Sequence, residues 1–125
     1  EAILQGKLAR SLKILDSLRS DQVAAPVVLW AISREIRLLM ALRGSAQHAS
    51  IYKKTHTPER HKALLESALS RLKMADLQSA LQLCADTDLQ IKGEMPGDCW
   101  ETLLSICCLL SKSNTFANYP GMSSH

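Results

Sequence analysis

Apolar residues recur with helical spacing along most of this chain, and the pattern is strongest between Ala25 and Arg43. Wound at 3.6 residues per turn, the apolar side chains of this stretch cover well over half of the circumference. Pro26 suits the first turn of a helix, and Gly44 suits its end. A helix with so wide an apolar surface must be contacted from two or three sides. We therefore predict that it lies at the centre of a helical bundle.

Four more helices are predicted around the central one, over residues 7–20, 58–73, 76–92 and 99–110. Thr57 is the expected N-cap of the second of these. Asp98 is the expected N-cap of the last, with Glu101 at capping-box spacing. Gly93 ends the third, and Met74-Ala75 forms the break before it.

Two connections carry predictions of their own. The link at residues 21–24 is short, so we expect the first helix to pack antiparallel along the central one. Residues 45–57 form the longest irregular stretch, and a helical turn around Ser50–Lys54 is left open.

Residues 112–125 show no period, and we predict a polar, disordered C-terminal tail.

Composition supports a single all-α domain. The chain has 125 residues, of which 46% are hydrophobic and only 4% aromatic. Such a length is enough for one core, and a Leu- and Ala-rich content favours helices over sheets. The fold predicted for residues 1–111 is a compact bundle of about five helices. Because the chain starts at Glu1 with a short apolar stretch, Ala2–Leu4, we expect it to be part of a longer protein.

Charge and cysteine content exclude several classes of protein. The net charge of +3 is too small to indicate a nucleic-acid partner by itself. No apolar run is long enough to span a membrane, and no signal peptide is visible. The four cysteines lack the spacing of a secreted domain, which indicates reduced thiols and a cytoplasmic location. They are read as small hydrophobic residues rather than as zinc ligands, although Cys99, Cys107 and Cys108 cluster in sequence.

No catalytic, cofactor or metal site is predicted. The sequence has no phosphate-binding loop and no nucleophile or zinc-peptidase signature. His56 and His61 flank a helix start at a spacing that suits a metal poorly. Glu35 falls inside the apolar arc of the central helix, where a carboxylate needs a partner. It is either a catalytic acid or a buried structural acid paired with a basic residue of the first or third helix. We expect the structural role, because no second catalytic group can be named beside it.

Two surface segments are candidates for binding. The polar strip of the central helix combines Trp30 with Arg34 and Arg37, which is typical of protein interfaces. Alternatively, Trp30 is covered by residues 21–25. The second segment is basic, and as a nucleic-acid contact it would offer phosphate-binding charges and one stacking ring. The alternative is an ordinary solvated loop and first helical turn. The basic segment comprises Tyr52, Lys53, Lys54, Arg60 and Lys62.

Several stretches, in order, resemble the C-terminal domain of the bacterial DNA polymerase III delta subunit, part of the clamp loader. They are GKLARSLKILDSLR at residues 6–19, PVVLWAISREIRLLMAL at 26–42, ALSRLKMADLQSALQLCADTDLQIKG at 68–93 and WETLL at 100–104. The segment 52–62 matches the family poorly, and the tail after Ser111 has no counterpart.

The resemblance implies a collar-domain-like fold and a scaffold role. In this family the domain joins equivalent domains of the delta-prime and tau/gamma subunits and holds the clamp loader together during DNA replication. The N-terminal part of delta, outside this chain, opens the sliding clamp, and delta does not hydrolyse ATP. DNA is then a possible partner through the complex. A helical nucleic-acid-binding module using residues 52–62 is the alternative function.

Overall fold

The computed structural model describes residues 8–111, and within that range it contains six α-helices and no strand. The predicted all-α bundle is therefore confirmed. The predicted tail at 112–125 and the apolar stretch at the N-terminus lie outside the described residues. The helices are α1 (Leu8–Ser20), α2 (Ala25–Arg43), α3 (His48–Thr55), α4 (Glu59–Arg71), α5 (Met74–Ile91) and α6 (Cys99–Leu110).

The central helix of the sequence analysis is α2, and its position is confirmed. It packs most extensively on α5 and also contacts α3, α4 and α6. Burying a Leu or Ile side chain contributes about 1.5–3 kcal/mol relative to leaving it in water, so this one helix supplies much of the core. Its buried residues are Val28, Leu29, Ile32, Ile36, Leu39 and Leu42.

One packing prediction is wrong: α1 does not lie chiefly along α2. It packs mainly on α6. Helix α6 in turn packs most extensively on α5. The short link keeps the end of α1 close to the start of α2. It does not determine which helix the apolar face of α1 packs against. Leu15 of α1 belongs to the buried core, yet the space between α1 and α2 stays partly open.

Three helices end in the same backbone motif. Gln22, His56 and Gly93 all adopt left-handed φ angles, of 60°, 54° and 75°. Each of these residues and the residue after it donate their N–H groups to the last carbonyls of the helix, as in Glu94 N to Leu89 O at 2.8 Å. This arrangement satisfies carbonyls that would otherwise lack partners. Gly93 therefore ends α5 as predicted, whereas α2 ends at Gly44 with an ordinary φ of −85°.

The helix starts agree with the sequence in two cases and differ in two. Pro26 occupies the first turn of α2, and the Asp98 carboxylate accepts a bond from the Trp100 N–H at 2.9 Å. Thr57, however, is not the N-cap of α4. Its hydroxyl lies 2.7 Å from that of Thr55, and Pro58 occupies the cap position.

The break before α5 also lies two residues earlier than predicted. Met74 and Ala75 are the first residues of α5, and the extended residues are Leu72 and Lys73. The cause is local, because the Asp76 carboxylate accepts a bond from the backbone N–H of Lys73 at 2.9 Å. That bond caps the helix one residue before Met74.

An eight-residue helix, α3, lies within the stretch predicted as irregular, and it includes the segment Ser50–Lys54 where a helical turn was left open. A polar network joins it to its neighbours. His48 Nε2 donates to the Leu42 carbonyl at the end of α2 (2.8 Å), and Nδ1 lies 2.9 Å from Glu66 on α4. His48 therefore connects the end of α2 to α4. The hydroxyl of Tyr52 donates to the same carboxylate of Glu66.

Two arginines attach α4 to the rest of the bundle through backbone carbonyls. The Arg43 guanidinium at the end of α2 donates to the carbonyls of Leu69 and Leu72. The Arg71 guanidinium donates to the carbonyl of Leu110 at 3.2 Å. These bonds also satisfy carbonyls in the last turns of α4 and α6, where helical partners are missing.

We expect Leu42→Ala to lower the free energy of unfolding by about 2–5 kcal/mol, because truncating this fully buried side chain leaves a cavity in the core. Val27→Ala on the same helix is the matched control. Since Val27 is 59% exposed, its replacement should change stability by no more than about 0.5 kcal/mol. Urea unfolding followed by circular dichroism measures both. Equal effects at the two positions would contradict the packing of α2 described above.

The Glu66 network should make stability depend on pH in the acid range. The hydrogen bond from the Tyr52 hydroxyl, helped by the contact with His48 and opposed by burial, lowers the pKa of Glu66 below its ordinary value. The ionised carboxylate therefore stabilises the fold above its unfolded pKa of about 4.3, and this contribution is lost as the pH falls through the lower folded-state pKa.

Tyr52→Phe keeps the buried ring but removes the hydroxyl, so it should reduce this acid dependence. Because about half of the Glu66 side chain is exposed, the change should stay below about 1 kcal/mol. Unfolding free energies measured between pH 3 and 6 would test it. An unchanged pH profile in Tyr52→Phe would show that the hydroxyl does not stabilise the carboxylate.

Candidate interaction surface

Three of the four large apolar side chains that stand exposed within residues 9–111 belong to α1 and α2. Ile14 on α1 is 46% exposed, while Val27 and Trp30 on α2 are 59% and 62% exposed. Their grouping distinguishes them from scattered surface residues, since contiguous apolar surface on a folded domain is typical of binding sites.

An open groove runs between α1 and α2 beside these residues. It exists because α1 packs on α6 and leaves the facing side of α2 uncovered. Its lining is almost entirely apolar, and the buried thiol of Cys107 on α6 contributes to it. We call this the apolar groove; its main lining residues are Ile14, Leu15, Leu18, Val27, Ala31 and Cys107.

Next to the apolar groove, Trp30 and Arg34 form a stacked pair one helical turn apart. The Arg34 guanidinium carbon lies 5.0 Å from the centre of the Trp30 ring, within the range of a cation–π contact. Trp30 remains exposed, so residues 21–25 do not cover it. Tryptophan and arginine are the residue types that most often dominate binding energy at protein interfaces. Trp30, Arg34 and the apolar groove therefore form one candidate surface.

Arg37, the third residue of the predicted strip, is exposed but faces a different part of the molecule. It lines a second groove between α2, α3 and α4, which Arg34 also borders. The strip predicted from the sequence therefore separates two grooves of different character, one apolar and one bearing arginines.

Glu35 is half-buried, with 24% of its side chain exposed, and it is paired. His61 on α4, the third helix of the sequence analysis, lies with Nε2 2.9 Å from the carboxylate, and Arg34 lies 4.0 Å from it. The bond connects α2 to the first turn of α4, at the base of the second groove. A carboxylate bonded to an imidazole is satisfied where it stands, and this geometry fits a structural pair.

The basic segment does not form the surface expected of a nucleic-acid contact. Tyr52 is 7% exposed and bonded to Glu66, so the expectation of a free stacking ring is wrong. Lys62 Nζ bonds Glu59 at 2.8 Å and lies 5.5 Å from the centre of the Tyr52 ring. Lys53, Lys54 and Arg60 are exposed, so positive charge remains in this region without an aromatic platform.

All four cysteines are free thiols, and they differ in exposure. Burial raises the pKa of Cys84, and burial together with the neighbouring Cys108 raises that of Cys107 to about 11. The two adjacent cysteines point in different directions, since Cys107 is buried and Cys108 is exposed.

Within residues 8–111, no group of three or more His, Cys, Asp or Glu side chains is arranged to hold a metal ion. In the same range, no helix combines the length and apolarity of a membrane span.

Ile14, Val27 and the apolar groove were not among the candidates predicted from the sequence. A signal for Ile14 was present, because it falls outside the stripe formed by Leu12, Leu15 and Leu18 and so has no place in the α1 core face. Val27 gave no such signal, since it lies within the wide apolar arc of α2.

Two comparisons with known proteins relate this chain to a family. Residues 1–116 match the family model described as "Processivity clamp loader gamma complex DNA pol III C-term". The chain is also 29% identical over 113 residues to DNA polymerase III subunit delta of Escherichia coli (strain K12). The aligned region covers 88% of this chain and 33% of that relative, so the chain spans about a third of the relative's length.

Thiol modification should distinguish the adjacent cysteines of α6. We expect a maleimide at neutral pH to modify Cys108 first and to leave Cys107 unmodified while the domain is folded, because Cys107 is buried and its raised pKa keeps it protonated. Mass spectrometry of digested samples locates the adduct. Cys108→Ser is the control and should lose the fast adduct, whereas rapid modification of Cys107 in the folded chain would contradict its burial.

Proposed function

This chain belongs to the family of C-terminal domains of the clamp-loader delta subunit of DNA polymerase III, and from that premise we propose that it is a non-catalytic oligomerisation domain. In this role it holds the clamp-loading complex together during DNA replication. Its partners are the delta-prime and tau/gamma subunits, and the sliding clamp and DNA are reached through other parts of the complex. We expect the protein to act in the cytoplasm with the replication machinery.

The observation that carries this proposal is the exposed surface formed by Trp30, Arg34 and the apolar groove. Neither Trp30 nor Val27 is needed by the core, and both present apolar area to solvent. Covering such area on association stabilises a complex by about 25 cal/mol per Å² before the costs of binding. A rigid helix that carries an aromatic residue stacked on arginine suits a permanent contact between helical domains.

The remaining chemistry of the domain supports a non-catalytic role. Glu35, the acid most suited to catalysis by position, is paired with His61, which links two helices. The buried thiols of Cys84 and Cys107 have raised pKa values and are poor nucleophiles. The nucleic-acid-binding alternative has less support, because Tyr52 is buried and Lys62 is paired with Glu59.

We expect Trp30→Ala, introduced into the complete delta subunit, to weaken its assembly with delta-prime and tau/gamma. The loss of an interface tryptophan should cost about 2 kcal/mol or more, which corresponds to a roughly thirtyfold weaker association. Analytical size exclusion and sedimentation of the mixed subunits measure it. Adding Val27→Ser, which places a hydroxyl at the edge of the apolar groove, should weaken assembly further.

The matched control is the double change Lys53→Ala and Lys54→Ala, which removes exposed charge elsewhere and should leave assembly unchanged. Circular dichroism melting establishes that every variant is folded. Full assembly of the folded Trp30→Ala, Val27→Ser variant would refute this surface as the contact. Failure of the unmodified subunit to join either partner would refute the oligomerisation role itself.

A further inference from the structure

The second groove, between α2, α3 and α4, is separate from the apolar groove and has a different chemistry. We call it the cationic groove. Arg34 and Arg37 line it from α2, and His56 follows the end of α3. Arg60 lies at its end, in an adjoining pocket shared with Arg34 and His61.

Positive charge exceeds negative charge in the cationic groove. Three arginines border it, and the acid among its lining residues is Glu35. The Glu35 carboxylate is bonded to His61 and lies 4.0 Å from Arg34, so it is engaged at the base of the groove. Arg37 is exposed, and about two thirds of the Arg34 side chain is in solvent. Both guanidinium groups can therefore reach a ligand without breaking the Glu35–His61 bond.

The walls between these charges are apolar. Leu38 and Ala41 on α2, Ile51 on α3 and Pro58 before α4 line the same groove. Apolar walls lower the local dielectric constant and strengthen the attraction between an arginine and an anion. The planar guanidinium of arginine also matches a carboxylate through two parallel hydrogen bonds. The groove thus presents cations and apolar surface side by side.

We propose that the cationic groove binds a short acidic peptide segment of a partner protein. Its carboxylates contact Arg34 and Arg37, and an apolar side chain of the peptide packs against Leu38, Ile51 and Pro58. Binding there uses neither the apolar groove nor Trp30, and Arg34 is the residue that it shares with the candidate oligomerisation surface.

A peptide suits this groove better than a nucleic acid does. The one aromatic ring of the basic segment, Tyr52, is buried and bonded to Glu66, so it is not available for a base to stack on. A phosphate backbone would use the arginines but not the apolar walls. An acidic segment with one apolar side chain uses both.

The test uses the full 125-residue chain and a fluorescein-labelled peptide of sequence ELEELEE, read by fluorescence anisotropy. The matched peptide QLQQLQQ keeps the apolar residues and removes the charges. Of the two peptides, we expect only ELEELEE to bind. Its affinity should fall as the salt concentration rises from about 50 to 300 mM. Arg37→Ala should weaken binding about tenfold, the effect of losing one charged hydrogen-bonding partner. Arg34→Ala should have a similar effect.

Arg10→Ala on α1 removes an exposed arginine away from the groove, and its affinity should match that of the unmodified chain. Amide shifts of labelled protein should change at Leu38, Ile51 and His61 when the peptide is added. Three results would each overturn the proposal: no binding of ELEELEE, equal binding of QLQQLQQ, or a loss in Arg10→Ala as large as in Arg37→Ala. Tighter binding of single-stranded oligothymidylate than of the peptide, abolished by Arg37→Ala, would also overturn it in favour of a nucleic-acid ligand.

Discussion

The structure depends on the need to remove the apolar surface of α2 from water. Six of its residues are buried, and by helical angle they fall on one face that covers somewhat less than half of the helix. The bundle meets this need by placing α5 along one side and α3, α4 and α6 around the others. The strip from Val27 through Trp30 to Arg34 then stays largely exposed to solvent. That strip results from the same geometry that makes α2 central.

Much of this arrangement could be predicted from the amino-acid pattern, because the 3.6-residue period reports which side of a helix meets the core. The position of α2 and the exposure of Arg34 follow directly from that period, whereas the period left open whether residues 21–25 cover Trp30. The existence of α3 does not. Its apolar residues Ile51 and Tyr52 are too few to show a period over eight residues, and its polar bonds reach Leu42 and Glu66, which are distant in sequence. Such a helix is specified by its tertiary contacts rather than by its own sequence.

The candidate surface was predictable to a similar extent. Residue types on an exposed helical face can be read from the sequence, and Trp30, Arg34 and Arg37 were. A groove, by contrast, is a space between elements, so it depends on the angle at which they diverge. The apolar groove arises because α1 prefers α6, and no local signal encodes that preference. The partner of Glu35 was predicted as a basic residue of the first or third helix, but its identity as His61 needed the fold.

The way in which α4 is fastened has a consequence for how this domain can vary. Arg43 and Arg71 bond to the carbonyl groups of Leu69, Leu72 and Leu110, and every amino acid has a carbonyl. These bonds therefore do not depend on which side chains occupy the three acceptor positions. Substitutions there affect packing but leave the attachment intact, provided that the backbone keeps its course. The attachment of α4 therefore depends on two arginines rather than on many matched pairs of side chains. Residues on the outward face of α4 can change without detaching the helix.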